Sequence, residues 1–234
     1  MIGFHIDLNT AAFCPEYLKM HLDFLAGSGY DTVIWELEDY IRFDSVPEIA
    51  APEALDKREF AEILAYSRDR GLRNIPLLQT LAHTEYFFRN GHCDTLVDDP
   101  GERTLFCPMK PELEVFMDRL IGEYKELFAD ADLIHLGCDE AWNLGRKCPR
   151  CRDFAEQHGK AALLAHHVET MRRIAARHGL RSAIWADMAL IHPEALELLS
   201  REIILFDWRY EIFRGVDGIW IWDEKGGKLG SVEE

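Results

Sequence analysis

The residues best suited to chemistry form one short run, His135-Leu136-Gly137-Cys138-Asp139-Glu140, followed by Ala141 and Trp142. Leu133 to Gly137 is mostly apolar, so the run reads as a buried strand whose tip carries two consecutive carboxylates. His135, Gly137 and Asp139 alternate and share one face of that strand. Burying adjacent carboxylates is costly unless they are paired or used. Two readings follow. In the plainer one, one acid caps the next helix and the other is solvated, since acidic residues favour helix starts. In the chemical one, the two acids divide acid–base work. Carboxyls that bracket a glycosidic bond stand ~5 Å apart for retention and ~6.5–9.5 Å apart for inversion. Consecutive residues diverge and bracket a bond poorly. They can act from one side, one protonating a leaving oxygen while the other steadies a nucleophile that the substrate supplies.

A second cluster is Cys148-Pro-Arg-Cys151. A zinc site wants four ligands and this pair supplies two. Cys93 or Cys107 could complete such a site from a neighbouring loop. A redox role lacks a thioredoxin-like context, and free thiols are the simpler expectation.

The elements that must position these groups alternate strictly. Short β-branched or apolar runs lie at Gly3–Asp7, Thr32–Glu36, Arg73–Gln79, Leu133–Gly137, Ser182–Trp185 and Ile203–Phe206. Helical spacing follows over Pro15–Ala26, where Tyr17, Leu18, His21, Leu22 and Leu25 form a stripe. It recurs near Lys57–Asp69, Glu112–Phe128, Lys160–His178 and Pro193–Leu199. Such alternation with nearly continuous apolar strands predicts a parallel sheet covered by helices. No glycine-rich phosphate loop follows a strand, which argues against a dinucleotide fold. Polar and aromatic residues sit instead after the strands: Asp7, Glu38, Asp39, His83, Asp139, Glu140, Asp187, Asp207 and Trp208. A (β/α)8 TIM-type barrel builds its site from those ends.

The expectation is therefore an α/β fold of that type, one domain over residues 1–234, with six clear βα units where a closed barrel needs eight. The tail from Gly215 holds one apolar run, GIWIW, enough for a seventh strand or a hairpin. An open parallel sheet leaves edge groups unpaired, which favours association, so a homo-oligomer is an option.

The formal net charge is −16. It repels phosphate backbones and anionic lipid, which excludes nucleic-acid and membrane partners at this stage. The N-terminal MIGFHIDLNTAAF has no basic stretch before an apolar run, and no run approaches a membrane span. Six cysteines with room for a real core fit reduced thiols and a cytoplasmic protein.

HLGCDEAW resembles the H-x-G-x-D-E motif of glycoside hydrolase family 20, within its hexosaminidase D branch. WELEDYIRF, IPLLQTLAHTEYFFR, DPGERTLFCPMKPE, AIWADM and LFDWRY resemble further segments of that branch, in order, across roughly Gly3–Tyr210. The wider family places an arginine near the end of its first strand; HIDLNTA holds none here, as in that branch. The family's last strands have no clear counterpart.

The resemblance implies release of a terminal N-acetylhexosamine, N-acetylgalactosamine or N-acetylglucosamine, by retaining, substrate-assisted hydrolysis. The substrate's acetamido oxygen attacks the anomeric carbon. Asp139 would orient the acetamido group. Glu140 would protonate the departing oxygen and then activate water, with burial and the Asp139 charge raising its pKa. Trp185 and Trp208 would wall the pocket, Tyr210 would bond the acetamido carbonyl, and Asp187, His83, Glu38 and Asp39 would hold hydroxyls or orient the acids. His135 would support the strand from inside. No metal or organic cofactor is needed, and the partner is a small glycoside or glycan. Two other readings stay open. One is a metal-dependent barrel hydrolase or isomerase using His5, Asp7, His83, His135 and Asp187. The other is a truncated, inactive sugar-binding barrel.

Overall fold

Six short segments rich in Val, Ile, Leu and Trp pair side by side, all parallel, in chain order. They are β1 (Gly3–Asp7), β2 (Thr32–Glu36), β3 (Arg73–Leu77), β4 (Leu133–His135), β5 (Arg181–Trp185) and β6 (Ile204–Phe206). The computed structural model describes residues 1–9, 13–208, 219–223 and 226–230. The central strands are largely buried on both faces, as parallel strands under helices are, while the edge strands β1 and β6 are partly exposed. β2 is buried at all five positions. Trp35 turns outward and meets Phe60 of the covering helix edge-on, ring centres 5.2 Å apart. Ile34 turns inward, with Ile75, Leu77, Leu133 and Ala183.

Helices α1 (Pro15–Gly27), α2 (Lys57–Asp69), α3 (Pro111–Leu127), α4 (Pro149–His158), α5 (Lys160–Arg177), α6 (Asp187–Ile191) and α7 (Ala195–Leu198) fill the connections. In α1 the stripe buries Leu18, Leu22 and Leu25, while Tyr17 is exposed. α2 starts at a capping box in which Asp56 accepts from the Glu59 N–H and Glu59 accepts from the Asp56 N–H, each 2.8 Å. It stops where Gly71 takes a φ of +76°, which costs glycine little.

Two expectations change, and for the tail one of the two options is decided. α4 is an addition to the helices read from the sequence. The helix expected over Pro193–Leu199 is the shorter α7, and α6, at Asp187–Ile191, is a second addition just before it. The tail forms the antiparallel hairpin β7 (Ile219–Asp223) and β8 (Gly226–Gly230), whose strands pair with each other and not with the six-stranded sheet. Among the described residues no helix is long and apolar enough to cross a membrane.

Candidate active site

The turn after β4 is shaped by one glycine. Strand pairing with β5 continues past His135 through Leu136 N–H to Ala183 O (2.8 Å) and Trp185 N–H to Gly137 O (3.0 Å). Gly137 has φ +66°, and a Cβ there would lie 1.9 Å from Gln79 Oε1. Only glycine fits. Cys138 and Glu140 follow with φ of 75° and 52°. The chain thus turns tightly twice within four residues, and such left-handed non-glycine residues persist only where surrounding structure holds them.

His135 is part of that hold. Its Nδ1 accepts from the Gly137 N–H at 3.1 Å. Burial pushes its pKa down to about 3, so the ring is neutral and Nδ1 keeps its lone pair. Trp185 and Phe206 pack on it, ring centres 4.4 and 5.0 Å away.

Beyond the turn, Asp139 and Glu140 share one partner. His83 Nε2 lies 3.3 Å from Asp139 Oδ2 and 3.4 Å from Glu140 Oε2. His83 sits in the segment after β3 with φ +54°. The Asp139 contact, opposed by burial and helped by the charges of Asp139 and Glu140, pushes its pKa up to about 9. An imidazolium therefore stands between the two acids at neutral pH. From the start of α6, Asp187 Oδ2 accepts from the Glu140 N–H at 2.9 Å. Burial raises the Asp187 pKa to about 6; the Glu140 N–H works against that and the Asp139 charge adds to it. Asp139 Oδ1 and Asp187 Oδ1 are buried with no hydrogen-bond partner in the protein, leaving two acceptors for a donor from a ligand.

The acids open into a cleft of ≈ 420 Å³ lined by His5, Asp7, Asn9, Glu36, Glu38, Gln79, His83, Asp139, Glu140, Trp185 and Trp208. An adjoining cleft of ≈ 350 Å³ shares His83 and Glu140 and adds Glu102, Leu105, Trp142 and Asn143 among its walls. Glu140 faces both spaces. Its side chain is 41% exposed, so the burial expected around it is absent; the tight turn carries it outward while Asp139, 18% exposed, stays in.

The sequence-derived set divides. His83, Asp139, Glu140, Glu38, Trp185 and Trp208 share the larger cleft, and Asp187 reaches it through Glu140. Glu38 is 4% exposed, and burial first, then the charges of Glu36, Asp7 and Asp39, raise its pKa to about 8. Asp39 does not line the cleft. Its buried carboxylate pairs with Arg89, because consecutive residues point apart and Glu38 takes the inner side. Tyr210 lies outside the described residues. Three cleft residues escape the sequence reading: Asn9, beyond the end of β1, and the pair Glu36 and Gln79. Gln79 Nε2 donates to Glu36 Oε1 at 2.8 Å, and His5 Nε2 lies 2.9 Å from Glu36 Oε2, off the line a hydrogen bond needs. Glu36 and Gln79 stand at strand ends, where an amide or acid after an apolar run is a usable signal.

The metal set at the mouth does not assemble. Among the described residues, the single convergent group of three or more metal-ligating side chains is Asp98, Cys107, Cys148 and Cys151, outside the cleft lining.

Against known proteins, residues 3–216 match the model of the family described as "Glycosyl hydrolase family 20, catalytic domain". The chain belongs to glycosyl hydrolase family 20. Within family 20 it is 27% identical to hexosaminidase D of Bos taurus over 195 residues, 81% of this chain and 56% of that protein. It is 26% identical to hexosaminidase D of Homo sapiens over 197 residues, 81% of this chain and 40% of that protein. It thus spans about half the length of these relatives. The structure of the Flavobacterium johnsoniae chitobiase superposes with a TM-score of 0.77 at 21% identity, covering 89% of this chain and 34% of the other. The six parallel strands with their outer helices are the incomplete (β/α) barrel of this family.

Proposed function

We propose that this family 20 chain acts as a β-N-acetylhexosaminidase by retaining, substrate-assisted hydrolysis. The observation that carries the reading is the pair Asp139 and Glu140 on one turn, both against His83, at the mouth of a cleft holding two tryptophans. The substrate's acetamido oxygen closes on the anomeric carbon. Asp139, the more buried acid, receives the amide N–H on a free oxygen and steadies the positive charge that develops there. Glu140 gives its proton to the departing oxygen, then takes one from water when the ring intermediate opens. Its place between two spaces suits this role, with the sugar in the larger cleft and the leaving group in the adjoining one. Trp185 and Trp208 offer faces for the sugar ring.

The test is turnover of two aryl N-acetylhexosaminides that differ in leaving-group acidity. Glu140→Gln is expected to lose most rate on the poor leaving group and least on the activated one. Asp139→Asn is expected to lose rate on both. Full activity in either variant would overturn the assignment. We also infer a reducing, cytoplasmic setting, supported by six cysteines that are all free thiols; cell fractionation that finds the protein exported would reject it.

A further inference from the structure

A second cluster of reactive side chains plays no part in the proposed hydrolysis. The ligand atoms of Asp98, Cys107, Cys148 and Cys151 all lie within 4.8 Å of one another, and all four residues are buried. Cys107 Sγ is 3.4 Å from Cys148 Sγ and 3.4 Å from Cys151 Sγ. A disulfide needs ~2.05 Å. Sulfurs at the corners of a tetrahedron ~2.3 Å from a zinc ion stand ~3.8 Å apart, close to the observed spacing.

Backbone N–H groups face two of the sulfurs, while burial pushes the Cys148 thiol pKa up and the Cys107 sulfur pushes that of Cys151 up, so an ion must displace their protons. The Met109 N–H points at Cys107 Sγ and the Cys151 N–H at Cys148 Sγ. Cys148 is the N-cap of α4 and Cys151 lies in its first turn, where the helix dipole stabilises negative charge. Asp98 supplies an independent sign. It is 4% exposed, and neither carboxylate oxygen has a hydrogen-bond partner of normal geometry. The groups facing it are the Cys151 thiol and the Cys148 N–H. A buried carboxylate without a partner is costly, and a cation at the centre of this group removes that cost.

We propose that Asp98, Cys107, Cys148 and Cys151 form a closed, four-ligand structural zinc site. Three sulfurs select a soft or borderline ion, and four protein ligands in tetrahedral array favour zinc with no position left for water. Zinc binds the thiolate form of each cysteine, so uptake of the ion displaces the protons that the thiols hold.

The location gives the site a task. Asp98 and Cys107 belong to the long segment between β3 and α3, which also carries His83. Cys148 and Cys151 end the segment that begins with the Asp139–Glu140 turn and leads into α4. The ion ties together two segments that both line the adjoining cleft, Leu105 from one and Trp142 from the other. It acts by positioning, not by touching substrate.

The experiment is metal analysis of the full chain, produced with zinc in the medium and purified without a metal-affinity tag. About one zinc per chain is expected, with a drop in melting temperature on prolonged chelation and recovery when zinc returns. Cys151→Ser should lose the ion. Cys93→Ser, which alters a buried cysteine outside the cluster, should keep it. Should Cys151→Ser fail to fold, Asp98→Asn and cobalt loading of the unaltered protein decide. Cobalt on three thiolates gives strong sulfur-to-metal charge-transfer absorption. A folded chain that carries no zinc and shows no such absorption overturns the proposal. So does a disulfide joining any two of the three cysteines.

Discussion

Replacing Gly137 by alanine puts a methyl group where the structure has no room for one. The new Cβ would stand 1.9 Å from Gln79 Oε1, 2.7 Å from its Cδ and 3.1 Å from its Cα, at a φ of +66°. The side-chain atoms can retreat only if Gln79, itself 3% exposed, gives up its 2.8 Å bond to Glu36. Forcing this overlap costs ~1–3 kcal/mol, and holding a residue with a Cβ in the left-handed region adds ~1–2 kcal/mol. Together they amount to about 3 kcal/mol, or roughly 6–12 °C of melting temperature for a chain of this size. Urea unfolding followed by far-ultraviolet circular dichroism measures the loss. A second background separates its parts. In Gln79→Ala the two nearest obstacles are gone, while the crowding against the main chain of residue 79 and the positive φ remain. Gly137→Ala should there cost about 1–2 kcal/mol. A loss below ~0.5 kcal/mol, the usual range of a surface substitution, would refute the account of this turn. An equal loss in both backgrounds would acquit Gln79.

Two further outcomes are expected. The folded-state pKa of His83 is raised from 6.5 to about 9, so its contribution to stability is fully present below pH 6.5 and is lost as pH rises through 9. The stability difference between the unaltered protein and His83→Gln should therefore shrink from pH 6 to pH 9.5 in urea titrations, and a constant difference would contradict the His83–Asp139–Glu140 contact. Asp56→Ala removes one half of the capping box of α2 and should lower stability by ~1 kcal/mol, with no change confined to the cleft; thermal melting checks it.

What is legible in the sequence is whatever local pattern decides. Thr32–Glu36 and Gly3–Asp7 read as strands because β-branched and apolar residues run without interruption, and Lys57–Asp69 reads as a helix because its stripe ends at Gly71. The acids Asp139 and Glu140 are visible because two carboxylates after an apolar run have few bland explanations. α4 is not legible: of its ten residues only Cys151 is buried, so it shows no apolar stripe, and Pro149 at its first turn is the one available signal. Asp98 escapes notice because Asp98-Asp99-Pro100-Gly101 reads as a solvated turn, and only tertiary folding carries its first residue to the cysteines. The pairing of His83 with both acids, and the division of Glu38 from Asp39, likewise depend on contacts between segments far apart in the chain.

The left-handed backbone at the cleft has a consequence for anyone who would reshape it by directed evolution. Glu38, His83 and Glu140 hold φ of 45°, 54° and 52°, a region asparagine, aspartate and glycine enter readily and β-branched residues almost never. A randomised library at these three positions is thus filtered by the main chain before any sugar is offered. Valine, isoleucine and threonine variants should drop out as misfolded rather than as altered in specificity. Asn9, Gln79 and Trp185, which line the same space with no positive φ, are the positions where sequence diversity can be spent on choosing a ligand.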